Sequence, residues 1–97
     1  MAAYVALINW TEQGIHDFKS TRDRGEAFRG VLQGMGATLT GLYWTLGAYD
    51  IVGIIEAPDD ETATAAMLKL GSIGNVRTTT MRAFTADEVA GIIAKAG

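Results

Sequence analysis

The clearest pattern in the chain is residues 51–55, where no polar side chain interrupts an apolar run. A strand with one face in water alternates apolar and polar residues, because successive side chains point to opposite faces. Residues 3–10 have the same continuous apolar character except at Asn9. We therefore predict two central strands, each buried on both faces.

Two further strands are predicted at residues 37–46 and 75–84. Threonine and arginine interrupt their apolar pattern, as edge strands allow. Gly47 and Ala48 separate the second strand from the third, which predicts a hairpin with a tight connection. Residues 11–20 are polar and predict a loop or a short helical turn.

Helical spacing of apolar residues appears in three places. A stripe at i, i+3, i+4 and i+7 predicts a helix from about Arg22 to Gly36. Gly30 and Gly34 lower the helix propensity there, so we expect close packing against the sheet at these positions. A second helix is predicted from residues 58–61, where proline and acids suit a first turn, and a third from a capping box at residues 85–88.

The predicted order is β-α-β-β-α-β-α in a single domain, residues 1–97. Right-handed crossovers place the two apolar strands at the centre of an antiparallel sheet with the order 4-1-3-2. The fold class is therefore α+β, a ferredoxin-like βαββαβ arrangement with an extra C-terminal helix. Both main helices cover the same face of the sheet, so the other face is left bare.

A bare apolar sheet face predicts an obligate homo-oligomer in which a second copy covers it. Taking Val5 and Leu7 to point towards the helices, we expect the interface to form through Ile8, Ile51 and Ile55. The small residues Ala6 and Gly53 then either leave an apolar hollow between the facing sheets or let the sheets pack closely. The candidate ligand-binding residues in and around that hollow are Tyr4, Trp10, Tyr43, Gly53 and Arg82.

Composition excludes several classes of function. A net charge of −3 argues against nucleic-acid binding, which needs a basic face. The chain has no cysteine and a single histidine, so we expect no disulfide, no metal site and no tightly bound cofactor. No signal peptide or membrane span is visible in the sequence, and we expect a cytoplasmic protein.

Three residues are weak candidates for catalysis. His16 lies just beyond the carboxyl end of the first strand, where ligands of α/β folds often sit, although a lone histidine in a polar segment is usually a surface residue. Tyr49 and Asp50 follow Gly47 at the predicted hairpin. They supply either a proton relay or the side chains that shape the turn. Arg82 would bind an anionic ligand or meet a carboxylate.

Four blocks of sequence resemble the GYD domain family, whose name comes from a glycine-tyrosine-aspartate element. The blocks are residues 11–15 (TEQGI), 47–50 (GAYD), 56–60 (EAPDD) and 74–84 (GNVRTTTMRAF). The resemblance extends over nearly the whole chain and implies a ferredoxin-like fold related to the dimeric α/β-barrel group. It implies little about activity, because the family is one of unassigned function.

Three classes of function are compatible with these features. The first is a small homo-oligomeric binding protein, with a small apolar or anionic ligand held between the sheets. The second is a cofactor-independent monooxygenase or isomerase of the dimeric α/β-barrel group, using Tyr49, Asp50, His16 or Asn9 for proton transfer. The third is an effector-sensing module, which would need a DNA-binding partner chain. The scarcity of catalytic groups favours the binding protein.

Overall fold

Four antiparallel strands form one sheet in the computed structural model, which describes residues 1–97. The strands are β1 (Ala2–Trp10), β2 (Thr38–Trp44), β3 (Ile51–Ala57) and β4 (Val76–Ala83). The helices are α1 (Glu12–His16), α2 (Thr21–Gly34), α3 (Asp60–Ser72) and α4 (Ala86–Ala96), with a short 3₁₀ turn at Phe18–Ser20. No helix combines the length and the apolar character that crossing a membrane requires.

The strand order is β2-β3-β1-β4, which confirms the order and the ferredoxin-like fold predicted from the sequence. The two apolar strands, β1 and β3, are the central pair, and the threonine-rich strands lie at the edges. A bulge at Thr40 in β2 brings Leu39 and Leu42 to the same face of the sheet, because one extra residue reverses the alternation.

Helices α2 and α3 cover one face of this sheet and form the core with it. Leu32 of α2 and Ile55 of β3 are the largest side chains that are fully buried. The remaining core side chains come from the same two layers: Tyr4, Ala6, Ile8, Phe28, Ala37, Leu39, Ile51, Ala57, Ala63, Ala66 and Val76.

The predicted assignment of the two sheet faces is wrong. Ile8, Ile51 and Ile55 lie beneath the helices, so they do not form an interface on the bare face. Central strands that are apolar on both sides allow either assignment, and contacts from distant elements decide between them. The hydroxyl of Tyr4 finds its partner, Asp60, only on the helix side. The small pair Ala6 and Gly53 lies on that side as well.

The connection between β2 and β3 is longer than the predicted two-residue turn. It runs over residues 45–50 and is closed by a hydrogen bond from the amide of Thr45 to the carbonyl of Asp50, 2.8 Å long. The amide of Asp50 donates to the carbonyl of Ile8 in β1. This bond holds Asp50 against a central strand, directly before β3 begins at Ile51.

Helix ends follow the predicted capping signals. Gly36, with φ +80°, follows the end of α2, and the side chain of Asp59 caps α3 by accepting from the amide of Thr62 at 2.7 Å. Thr85 and Glu88 form the capping box of α4. The expectation of close packing at Gly30 and Gly34 is wrong, because both are exposed and a Cβ at either position would meet open space.

Candidate functional site

The face of the sheet away from α2 and α3 carries an apolar surface, which we call the open sheet face. Its centre is formed by side chains of three strands: Val5, Leu7, Val52, Ile54 and Met81. The strand register places Leu7 between Val52 and Thr79, and Val5 between Ile54 and Met81. Four of the five are half-buried and Met81 is 45% exposed, so the apolar side chains cover one another only in part.

Tyr43 extends the open sheet face onto the edge strand β2. It pairs with Val52, and its side chain is 62% exposed. A Cβ at Gly41 would lie 3.2 Å from Cε2 of Tyr43 and 3.3 Å from Cγ1 of Ile54, so the tyrosine ring lies over the glycine. This glycine therefore lets the aromatic ring continue the apolar surface.

Asp50 of the glycine-tyrosine-aspartate element has a structural role. Its carboxylate accepts a hydrogen bond from the backbone amide of Trp10, 2.9 Å away, just where β1 ends. The hydroxyl of Thr45 donates to the carbonyl of Tyr49 within the same connection. The element thus anchors the β2–β3 connection to a central strand, whereas the sequence suggested a proton relay or a role within the turn itself.

We expect Asp50→Ala to lower the free energy of unfolding by about 1–3 kcal/mol, because the amide of Trp10 loses a charged acceptor. Asp50→Asn keeps an acceptor oxygen and should retain most of the stability. Urea denaturation of the two variants and the wild type measures the difference. Equal stability of Asp50→Ala and wild type would show that this hydrogen bond does not support the fold.

No side-chain hydrogen bond or ion pair joins His16, Tyr49 and Asp50 to one another. His16 is exposed at the last turn of α1, and Tyr49 is half-buried in the β2–β3 connection. No three His, Asp or Glu side chains are grouped closely enough to hold a metal ion. The structure therefore shows no bonded arrangement of His16, Tyr49 and Asp50 that would support the suggested catalytic role.

Two of the sequence blocks meet at one end of the sheet. The hydroxyl of Thr11 donates to the carbonyl of Gly74 at 2.5 Å, and its amide donates to the carbonyl of Asn75 at 3.0 Å. The side-chain amide of Gln13 donates to the carbonyl of Ile73 and to the side-chain oxygen of Asn75. These blocks therefore dock α1 against the start of β4.

A polar cleft of about 380 Å³ lies between α3 and β4. The hydroxyl of Tyr4 donates to the carboxylate of Asp60 at 2.5 Å. The guanidinium of Arg82 lies 5.7 Å from the ring centre of Tyr4 and 4.4 Å from that of Phe84. The guanidinium also donates to the carbonyl of Ala3. Its contacts therefore mainly stabilise β4 and the residues that follow this strand.

The hydrogen bond to Asp60, burial and the negative charge of Asp60 raise the pKa of Tyr4 to about 12. The unfolded chain releases this proton near the ordinary value of 10.0, so the stability from the bond is present below about pH 10 and is lost towards about pH 12. We expect the wild type to have a higher melting temperature than Tyr4→Phe at neutral pH. The difference in melting temperature should become smaller between about pH 10 and pH 12. Melting curves of both proteins at several pH values test this. A difference in melting temperature that does not change with pH would contradict this role of the Tyr4–Asp60 hydrogen bond.

The residues predicted to line one hollow lie on both sides of the sheet. Tyr4, Gly53 and Arg82 lie on the helix side, as does Trp10, whose ring nitrogen is buried without a hydrogen-bond partner. Only Tyr43 lies on the open sheet face. Ligand binding by these residues stays a prediction, but they cannot line a single hollow between facing sheets.

Sequence reasoning missed Asp60 and Met81 as parts of these surfaces. Asp60 stood out only as an acid in a helix first turn, and its bond to Tyr4 joins residues 56 positions apart. Met81 lies between Thr80 and Arg82 on an edge strand, and its side chain points to the opposite face from theirs. Only its pairing with Val5 shows that this face is the open sheet face.

Comparison with known proteins confirms the family resemblance. The sequence profile of the GYD domain matches residues 4–93, so the chain belongs to the GYD domain family. A Thermus thermophilus protein named "Glutamine synthetase and cystathionine beta-lyase binding protein" is 32% identical over 96 residues, which cover 98% of each chain.

Solved structures share the fold at low sequence identity. A crystal structure of a protein from Thermus thermophilus superposes with a TM-score of 0.58 at 23% identity, covering 89% of this chain and 96% of the other. A feast or famine regulatory protein from M. tuberculosis, complexed with L-methionine, gives a TM-score of 0.68 at 12% identity. That alignment covers 89% of this chain and 52% of the regulator, and such identities establish the fold alone.

Proposed function

We propose that this protein is a small homo-oligomeric binding protein that acts by associating with other proteins, and that it is not a catalyst. The observation that carries the proposal is the open sheet face, where Leu7, Val52 and Ile54 lie at the centre of an uncovered apolar surface. Contiguous apolar patches of this kind mark interaction surfaces on soluble domains.

A second copy of the chain is the occupant that best fits the open sheet face. Two sheets pack face to face when the side chains of both inner faces interdigitate. The centre of the open sheet face is apolar, and polar residues such as Asn9, Arg77 and Thr79 lie around it. An apolar centre with a polar rim is the usual anatomy of a protein interface.

Metabolic enzymes are the partners that we propose for the resulting oligomer. The Thermus relative is named for binding glutamine synthetase and cystathionine beta-lyase, and it aligns with this chain from end to end. Relatives that align over this length at this identity share a fold. We propose that the two proteins also share the property of binding metabolic enzymes.

Sedimentation of the labelled protein with each purified enzyme from the same organism tests the proposal. We expect saturable co-sedimentation with glutamine synthetase or with cystathionine beta-lyase, and none with an unrelated oligomeric enzyme of similar size. If neither enzyme shifts the sedimentation of the protein, the assignment of metabolic enzymes as partners is wrong.

The alternative of a cofactor-independent monooxygenase or isomerase draws on one observation, the cleft that holds Tyr4, Asp60 and Arg82. A general base works best with a pKa near the operating pH. Because the pKa of Tyr4 is raised to about 12, its phenol stays protonated at neutral pH and serves as a hydrogen-bond donor. The cleft therefore supports binding better than proton abstraction.

A further inference from the structure

An apolar groove of about 270 Å³ lies between α2 and α3, on the opposite side of the sheet from the open sheet face. We call it the helix groove. Its apolar lining consists of Ala27, Phe28, Val31, Leu70, Ile73 and Val76. An apolar groove between two helices is the kind of surface into which apolar side chains of another helix pack.

The rim of the helix groove is positively charged. Arg24 donates to the backbone carbonyls of Asp17 and Gly14, and its nearest carboxylate is the exposed side chain of Asp17, 3.9 Å away. Lys69 belongs to none of the three ion pairs of the structure. A segment with acidic residues beside an apolar stripe would complement both the lining and the rim.

Helix α4 is such a segment. It has an apolar stripe in which Val89, Ile92 and Ile93 are 38%, 43% and 64% exposed, and none of its residues is buried. Asp87 and Glu88 make its first turn acidic. A helix of 11 residues is marginal in water by itself, because isolated helices need about 12–15 residues. Packing of the apolar stripe is therefore expected to supply its stability.

We propose that α4 of one copy of the chain packs into the helix groove of a second copy. The stripe formed by Val89, Ile92 and Ile93 then covers the apolar lining, and Asp87 approaches the cationic rim. The contact is a helix held in a groove, in which residues three and four apart act as anchors. One contact thus covers the helix groove of one copy and the apolar stripe of α4 of the other.

A chain cannot place α4 in its own helix groove. The groove lies near Ile73 and Val76, at the start of β4, whereas α4 follows the end of that strand. Eight residues of strand place the two ends about 23 Å apart, and α4 is only about 16 Å long. The capping box and the ion pair between Arg82 and Glu88 also hold the first turn of α4 beside the end of β4.

This inference rests on the proposed homo-oligomer and extends it. The helix groove and the open sheet face lie on opposite sides of the chain, so the two contacts join different copies. Together they build assemblies larger than a dimer, whereas the sheet contact alone stops at two chains.

Disulfide trapping tests the contact cleanly, because the chain has no cysteine. We would mix Ile92→Cys with Val31→Cys under mild oxidation and measure the cross-linked fraction on a non-reducing gel. The expected yield is about tenfold above that of Ile92→Cys mixed with Gln33→Cys, because only docked thiols are held at a high effective concentration. Gln33 is an exposed residue of α2 outside the groove.

Light scattering on the wild type and on Ile92→Lys separates this inference from the proposed function. We expect the wild type to exceed the mass of a dimer and Ile92→Lys to fall to a dimer, with α4 released and the sheet contact kept. A wild-type dimer without the specific cross-link would overturn the docking of α4 alone. Efficient cross-linking of Ile92→Cys to itself would overturn it too, because α4 would then pair with α4. A wild-type monomer would overturn the homo-oligomer as well.

Discussion

Gly14→Ala should lower the free energy of unfolding by more than about 3 kcal/mol, a loss that single substitutions rarely cause. A Cβ at Gly14 would lie 1.9 Å from the backbone oxygen of Asn75, far inside van der Waals contact. Backbone atoms cannot move aside as a flexible side chain does, so α1 must leave the start of β4. The hydrogen bonds from Thr11 and Gln13 to residues 73–75 are lost with it.

Gly30→Ala is the matched control for this prediction. Gly30 also lies in a helix, but a Cβ there meets open space. Its replacement should stabilise the chain by about 0.5–1 kcal/mol, the usual preference for alanine within a helix. Urea denaturation of both variants gives the comparison, and a Gly14→Ala protein as stable as the wild type would show that the docking of α1 is not tight.

Leu7→Lys should break the contact that copies of the chain make through the open sheet face. Leu7 lies at the centre of that face, so the substitution removes about 1.5–3 kcal/mol of apolar burial and places a charge in the interface. We expect the dissociation constant of the sheet contact to rise at least about 100-fold, equivalent to about 2.7 kcal/mol. The chain should stay folded, because Leu7 is outside the core.

Leu68→Lys provides the control, since it makes the same substitution at an exposed leucine of α3. Sedimentation equilibrium measures both dissociation constants, and circular dichroism checks the fold. The same loss of association in both variants would mean that the effect is not specific to the open sheet face. Ile51→Lys is no test of this contact, because Ile51 lies in the core beneath the helices.

The elements and their order could be predicted because each carries a local signal. The apolar run in β3, the helical stripe around Phe28 and the capping box at Thr85 all depend on residues close together in sequence. Right-handed connections then leave one reasonable sheet order, which the structure confirms. The family resemblance rested on equally local blocks.

The assignment of sheet faces could not be predicted, because β1 and β3 are apolar on both sides. Tyr4 shows the reason most clearly: its hydroxyl needs a partner, and Asp60 becomes its neighbour only when α3 packs on the sheet. Asp50 gives a second case. Its position three residues after Gly47 indicated a turn residue, while its carboxylate binds the amide of Trp10, 40 positions away.

The mass of the wild-type protein in solution shows whether a second copy of the chain covers the open sheet face. Light scattering after size-exclusion chromatography at micromolar concentration should give at least twice the chain mass of 10.3 kDa, because an uncovered open sheet face favours association. A well-folded species of 10.3 kDa would contradict the proposed homo-oligomer, since the open sheet face would then be stable in water without a partner.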